Sequence, residues 1–270
     1  MIVFPNAKIN LGLRVLRKRK DTYHDIQSYM LPVNLCDAME IVPSDEDFSF
    51  SVTGLPLAVD EEDNLCVKAV RIMKEYYDIP PVKIHLHKII PSASGLGGGS
   101  SDGAFALSLI RKLFSMKLCN AELEGMAAVL GCDSSFFIVN KAQLIEGTGH
   151  PTHKFLHLPQ YHIVIVVPSY GISTTWAFNN ITPSGVNLPL PEELTGNELN
   201  WKNLMVNDFE ELVFRHYPEL EIIKQKLYDA GAFYASMSGT GSAVYGLFTT
   251  PPNVLGLFND YFTWTGKTII

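Results

Sequence analysis

Lys88-Ile89-Ile90-Pro91-Ser92-Ala93-Ser94-Gly95-Leu96-Gly97-Gly98-Gly99-Ser100-Ser101-Asp102 is the stretch whose reading decides the rest of the chain. Four glycines fall between Gly95 and Gly99. Glycine packs nothing and loses the most conformational freedom on folding, so such a cluster persists where backbone bends sharply or something approaches it closely. Val82, Ile84 and Leu86 alternate before it as a strand does. Phe105, Leu109 and Leu113 predict one face of a helix from Gly103 onward, with Ser100, Ser101 and Asp102 at its start. A glycine loop feeding a helix N-terminus aims several N–H groups and the positive end of the helix dipole at one spot, which suits an anion and above all phosphate. A flexible linker is the plainer alternative, but a linker is not bracketed by a strand and an amphipathic helix.

Length and composition narrow the class. A chain of 270 residues can bury a substantial core in one large domain or two ordinary ones. With 47% hydrophobic and 18% charged residues it reads as globular, and a net charge of −7 argues against a general nucleic-acid binder. Cys36, Cys66, Cys119 and Cys132 lack metal-ligand spacing, so reduced thiols in a cytoplasmic protein are expected. The apolar run Ile163–Val167 is too short to cross a bilayer, and Pro5, Asn6 and Lys8 break the start, so neither membrane span nor secretory leader is expected.

Along the chain, Ile9, Leu11, Leu13 and Val15 predict one side of a strand, with Lys8, Asn10, Gly12 and Arg14 on the other. Arg17-Lys18-Arg19-Lys20-Asp21 reads as a solvated hairpin tip before Tyr23-His24 and a returning strand. Strands are expected at 38–42, 48–52 and 82–86, and helices at 65–77 and 121–130. Asp133 stands where a helix N-cap would. Past Gly149-His150-Pro151 the texture changes. A strand at 161–168, a helix turn from Ser173, a loop or lid at 182–198 and helices at 207–215 and 219–230 are expected. Tyr234–Ser242 reads as a second small-residue loop ahead of a strand at 243–248. This mixture suggests two α+β layers, residues 1–150 and 151–270.

The Walker pattern requires a lysine after the glycines, and the dinucleotide pattern an acidic residue about twenty positions on; neither is met. Pro91–Asp102 instead resembles the phosphate loop of the GHMP small-molecule kinases. The resemblance extends to Asn6–Leu13, Asp21–Ser28, Gly131–Phe137, Glu146-Gly147 with Gly149, and Ser236–Ser242, and so spans nearly the whole chain. The Tyr23-His24 block is similar to the branch that phosphorylates cytidine-diphosphate-linked methylerythritol at its 2-hydroxyl, in a route to isoprenoid precursors. A homoserine or sugar kinase of the same superfamily would lack it, and a catalytically silent nucleotide sensor would need neither Lys8 nor Asp133.

The resemblance implies a two-domain α+β fold: a ribosomal-protein-S5-domain-2-like ATP-binding lobe, then a ferredoxin-like α/β sandwich lobe, with the active site in the cleft between them. It implies ATP and Mg²⁺ as cofactors, metal ligands unspecified, and a monomer or homodimer. Asp133 would be base or orienter for the attacked hydroxyl, with Lys8 beside it, although alone Lys8 reads as an exposed strand lysine and Asp133 as a cap. Pro91, Ser92, Ala93, Ser94, Gly95, Leu96, Gly97, Gly98, Gly99, Ser100 and Ser101 would hold the ATP phosphates. Asn64, Leu65 and Lys88 correspond to positions around adenine and ribose. Asn10 and Thr174 match positions near the transferred phosphate, Tyr23 and Phe178 would sandwich cytosine, and His24 would bond its polar edge. Thr22, Ser94 and Ser134-Ser135 depart from the residues usual there.

Overall fold

The computed structural model describes residues 1–57, 59–189, 194 and 198–269. Its strands are β1 (Ile2–Val3), β2 (Asn6–Lys18), β3 (His24–Cys36), β4 (Ala38–Pro43), β5 (Ser49–Gly54), β6 (Val82–Lys88), β7 (Gln143–Gly147), β8 (His150–Phe155), β9 (His162–Val167), β10 (Tyr234–Met237), β11 (Val244–Phe248) and β12 (Phe262–Lys267). The helices are α1 (Leu65–Tyr76), α2 (Gly98–Leu113), α3 (Asn120–Leu130), α4 (Ser134–Val139), α5 (Thr174–Asn180), α6 (Trp201–Leu204), α7 (Phe209–His216) and α8 (Pro218–Asp229).

Two compact units emerge, each built from separate stretches: Met1–Ala7, Leu35–Ser92 and Gly97–Asn140 in the first, Lys8–Asn34, Ala93–Leu96 and Lys141–Ile270 in the second. They are not divided at one point near residue 150. The reason is strand pairing: Ile26–Met30 of β3 hydrogen-bonds to Gln143–Gly147 of β7, which draws the early hairpin into the later half.

In the first unit a sheet of order β1-β4-β6-β5 carries α1 and α2 on its apolar face. Met39, Ile41, Ile84 and Leu86 meet Val70, Met73, Leu107 and Ile110 there. Strand β6 alternates strictly, with Val82, Ile84, Leu86 and Lys88 inward. Asn64 starts α1 by accepting a hydrogen bond from the Cys66 N–H at 2.9 Å, which supplies a donor at the helix start with a partner.

Helix α2 begins at Gly98, five residues before the expected start. Gly97 adopts φ 71°, a left-handed conformation cheap only for glycine, and its carbonyl accepts from the Ser101 N–H at 2.9 Å. Ser100, Ser101 and Asp102 therefore lie inside the helix. Its buried stripe consists of small and aliphatic residues, Gly103, Ala106, Leu107 and Ile110 with Leu109, while Phe105 and Leu113 are half-buried. A Cβ on Gly103 would lie 2.9 Å from the Leu65 Cβ, so close packing of α1 on α2 requires glycine there.

The second unit contains sheets of order β2-β3-β7-β8 and β10-β11-β9-β12. Val164, Val166 and Val244 pack with Phe209, Val213, Leu220, Ile223 and Leu227 of α7 and α8. Tyr234–Met237, expected within a loop, is strand β10, leaving 238–242 as the turn; small residues suit that turn because all five are buried. The tail after Phe248 supplies β12, an edge strand that pairs along the whole of β9. Residues 182–189 form no helix or strand, but Leu188 N–H donates to Gln27 and the Tyr29 hydroxyl to the Pro189 carbonyl. The remainder of the expected lid, 190–193 and 195–197, lies outside the described residues. Among the described residues no helix is long and apolar enough to cross a membrane.

Candidate active site

The phosphate loop is held in a conformation that glycine makes accessible. Ala93, Gly95 and Gly97 have φ of 52°, 79° and 71°. A Cβ on Gly95 would lie 2.1 Å from the Ser238 carbonyl oxygen. The turn after β10 grips this half of the loop: Ser238 Oγ donates to the Gly95 carbonyl at 2.8 Å, and the Ala243 N–H to the Ser94 carbonyl at 2.9 Å. Where α2 begins, Gly97 has no side chain with which to cap the first N–H groups, and a Cβ on Gly99 would meet nothing within 4 Å. That turn presents backbone to open space, the arrangement an anion requires.

Lys8 differs from its plain reading as an exposed strand lysine: it is 3% exposed, and Asn10 beside it 1%. Both faces of β2 are buried through Leu13. Lys8 Nζ donates to Asn10 Oδ1 at 2.6 Å, Asn10 Nδ2 to Ser28 Oγ at 2.8 Å, and Ser28 Oγ to the Gly12 carbonyl at 2.7 Å. This chain of bonds sets the Asn10 amide with its oxygen toward the ammonium. The Lys8 backbone N–H donates to the Leu96 carbonyl at 2.9 Å, so the lysine is anchored to the phosphate loop itself.

Asp133 occupies the N-cap position of α4, as expected, but its side chain makes no capping hydrogen bond. A capping role therefore does not explain it. Its turn lies against α2, since a Cβ on Gly131 would be 3.6 Å from Ser134 Oγ and 3.9 Å from Ser100 Oγ. Ser101 Oγ and Ser134 Oγ are buried with no hydrogen-bond partner among the described residues. The departure at Ser135 is accommodated: its hydroxyl donates to the Glu124 carbonyl at 2.9 Å, tying α4 to α3.

His24 and Phe178, distant in sequence, come together with ring centroids 5.3 Å apart and a tilt of 36°. Phe178 is braced edge-on by Phe209. Tyr23 is 60% exposed at the hairpin tip, a ring available to a ligand. Burial, and secondarily the Lys18 charge, pulls the His24 pKa below its ordinary value, which keeps the ring neutral with one donor and one acceptor nitrogen. Thr22 holds φ 72° in the turn before them, where glycine would be less strained. Thr174 is exposed at the start of α5, 3.3 Å from the Thr240 hydroxyl.

Asn64 and Leu65 stand at the start of α1, against Gly103 of α2. The Lys88 ammonium is buried between Asp37 and Asp102. Sequence reasoning placed Ser28, Ser238 and Thr240 within motifs but gave them no role, and it missed Asp37. For Asp37 the signal was the strict alternation of Val82, Ile84 and Leu86, whose continuation turns Lys88 inward toward a required counter-charge.

Residues 64–140 match the model of the GHMP kinases N terminal domain and residues 192–257 that of the GHMP kinases C terminal domain. The chain is 44% identical over 270 residues to the 4-diphosphocytidyl-2-C-methyl-D-erythritol kinase of Parabacteroides distasonis, covering 99% of each. It is 45% identical over 253 residues to the enzyme of that name from Bacteroides fragilis, covering 92% of each. A crystal structure of 4-(cytidine 5'-diphospho)-2C-methyl-D-erythritol kinase superposes with a TM-score of 0.85 at 29% identity, covering 99% of both chains. The Methanococcus jannaschii mevalonate kinase shares the fold at a TM-score of 0.68 and 16% identity. A glycine loop, a buried Lys8 anchored to it and an Asp133 that caps no helix thus accompany full-length likeness, and the chain belongs to the GHMP kinases, within the 4-diphosphocytidyl-2-C-methyl-D-erythritol kinase family.

Proposed function

We propose that the chain transfers the γ-phosphoryl group of ATP to the 2-hydroxyl of 4-diphosphocytidyl-2-C-methyl-D-erythritol, giving the 2-phosphate and ADP in the non-mevalonate route to isoprenoid precursors. The observation that carries this is the likeness over 99% of the chain to kinases of that name. Phosphoryl transfer asks a protein mainly to hold phosphates in line and to offset developing charge. The turn 95–101 does the first. Asp133 orients the 2-hydroxyl and accepts its proton, while Lys8, oriented by Asn10, offsets charge on the alkoxide and the moving phosphoryl group. Thr174 lies near the transferred phosphate.

Magnesium, when bound, neutralises triphosphate charge. Among the described residues no three His, Cys, Asp or Glu side chains stand together to hold a metal. The ion is therefore expected to arrive on the phosphates, in keeping with the habit of Mg²⁺ to bind substrate oxygens and water. Four free cysteines agree with a reducing cytoplasm. Turnover of diphosphocytidyl-methylerythritol with ATP, measured beside homoserine, mevalonate and galactose, tests the assignment; equal or faster use of any of the three would overturn it.

Cytosine recognition rests on Tyr23, Phe178 and His24. Aromatic stacking contributes about 1–3 kcal/mol per base. Tyr23→Ala and Phe178→Ala should therefore raise KM for the cytidine substrate roughly 5- to 150-fold while leaving KM for ATP alone, and an unchanged cytidine KM in both would move the pocket elsewhere.

His24 adds a pH dependence of known sign. Its folded pKa lies below its unfolded one, so its contribution to stability is complete above the unfolded value and is lost as pH falls through the folded value. Protonation also removes the acceptor nitrogen from the cytosine edge. Cytidine KM should rise as pH falls below the ordinary histidine value of about 6.5, and the rise should be absent in His24→Gln. An equal rise in that variant would assign the titration to another group.

A further inference from the structure

Lys88 ends the buried face of β6, and its ammonium donates to both Asp37 and Asp102, the latter at 2.8 Å. All three side chains are essentially excluded from solvent, with 3%, 0% and 4% exposure. Asp37 Oδ1 accepts from the backbone N–H groups of Ile89 and Ile90, at 2.5 and 2.9 Å, where β6 leaves for the phosphate loop. Asp102 sits on α2, where the loop has ended. A Cβ on Gly98 would lie 3.3 Å from Lys88 Nζ, so the ammonium lies directly beneath the first turn of that helix. One cation therefore ties the entry of the loop to its exit and lies beneath the first turn of α2.

We propose that Lys88 is a positioning residue for ATP: with Asp37 and Asp102 it clamps the two ends of the phosphate loop at a fixed spacing. This rests on the kinase reading and extends it, since Lys88 acts through the loop rather than by touching adenine with its ammonium. A buried ion cluster of this kind is weak evidence for stability, because desolvation offsets much of the attraction. Its value lies in geometry.

The cluster also has a preferred protonation state. Burial foremost, with the Asp37 charge, raises the Asp102 pKa to about 8 against the pull of Lys88. Burial opposes the charge on Lys88, but Asp102 and Asp37 beside it outweigh burial and raise its pKa. Asp102 Oδ1 has no partner among the described residues, which costs less in a carboxyl than in a carboxylate. Among the described residues, Cys66 of α1 and Cys36 also feel the charges of the cluster, and burial foremost raises both thiols toward the neutral form. When Asp102 ionises, a negative charge appears beneath the site that receives a polyanion.

Equilibrium binding of a non-hydrolysable ATP analogue, without the cytidine substrate, tests the clamp. Lys88→Met should weaken the analogue at least tenfold while cytidine-substrate binding stays within twofold; a folded variant with analogue affinity within twofold of wild type would overturn the proposal. If Lys88→Met does not fold, the test passes to Asp102→Asn, which keeps the shape. Wild-type affinity for the analogue should fall as pH rises through about 8, and the fall should vanish in Asp102→Asn; the same fall in both would overturn the clamp. Because the readout is binding of the ATP analogue, failure of the wild type to turn over the cytidine substrate would defeat the substrate assignment and leave this result standing.

Discussion

Asp133→Asn should lower kcat by roughly 10²–10⁴, the range for loss of a general acid–base group, with little change in melting temperature. The variant keeps shape and hydrogen bonding but cannot accept a proton. An ordinary N-cap would behave in the opposite way, costing about 1 kcal/mol of stability and leaving turnover intact. Since the Asp133 side chain makes no capping bond to α4, that stability term is not available to lose. Lys8→Met should lower kcat by a similar factor. Here the melting temperature falls as well, because Asn10 Oδ1 loses its donor in a buried setting, at a cost of about 1–3 kcal/mol. If the two residues serve one transfer, the double variant should be little slower than either single one. ATP binding should survive in both. A destabilised but fully active Asp133→Asn enzyme would defeat the mechanism.

Two glycines of the phosphate loop should respond in contrasting ways to alanine. Gly95→Ala places a methyl 2.1 Å from the Ser238 carbonyl oxygen at φ 79°, so backbone on one side or the other must move. Left-handed backbone at a residue with a side chain costs about 1–2 kcal/mol before the clash is counted, and the total should approach the largest single-residue losses, about 4–5 kcal/mol. Gly99→Ala meets nothing within 4 Å in the folded chain. Alanine in a helical turn is favoured over glycine by up to about 1 kcal/mol, so the melting temperature should hold or rise. ATP affinity should nevertheless fall about tenfold or more, since the methyl enters the space proposed for phosphate. A Gly99→Ala enzyme with unchanged ATP affinity would mean that the phosphates lie elsewhere along the loop.

Much of this protein could be read before it folded. Strand β6 and helices α1, α3, α7 and α8 announce themselves by period, and their bounds fall within a residue or two of expectation, because apolar spacing and Asn or Gly signals at their ends act locally. The phosphate loop is similarly local, since glycine chemistry is a property of neighbouring residues. Other features depended on distant partners. Helix α2 starts early because the Gly97 conformation is supported by the folded loop, and Phe262–Lys267 becomes a strand because β9 offers a free edge. The hairpin of β2 and β3 joins the later part of the chain because β7 pairs with it. The chemistry divides the same way. The identities of Lys8, Asp133, His24 and Phe178 were legible as candidates by resemblance, whereas burial of Lys8, the absence of a cap at Asp133 and the meeting of His24 with Phe178 were decided by packing. Lys88 is the clearest instance: strand alternation turns it inward, but only tertiary structure brings Asp37, 51 residues away, and Asp102 to meet it. Sequence sets which charges exist and which face each local element turns inward; whether a buried charge finds a counter-charge depends on contacts between segments that no local pattern encodes.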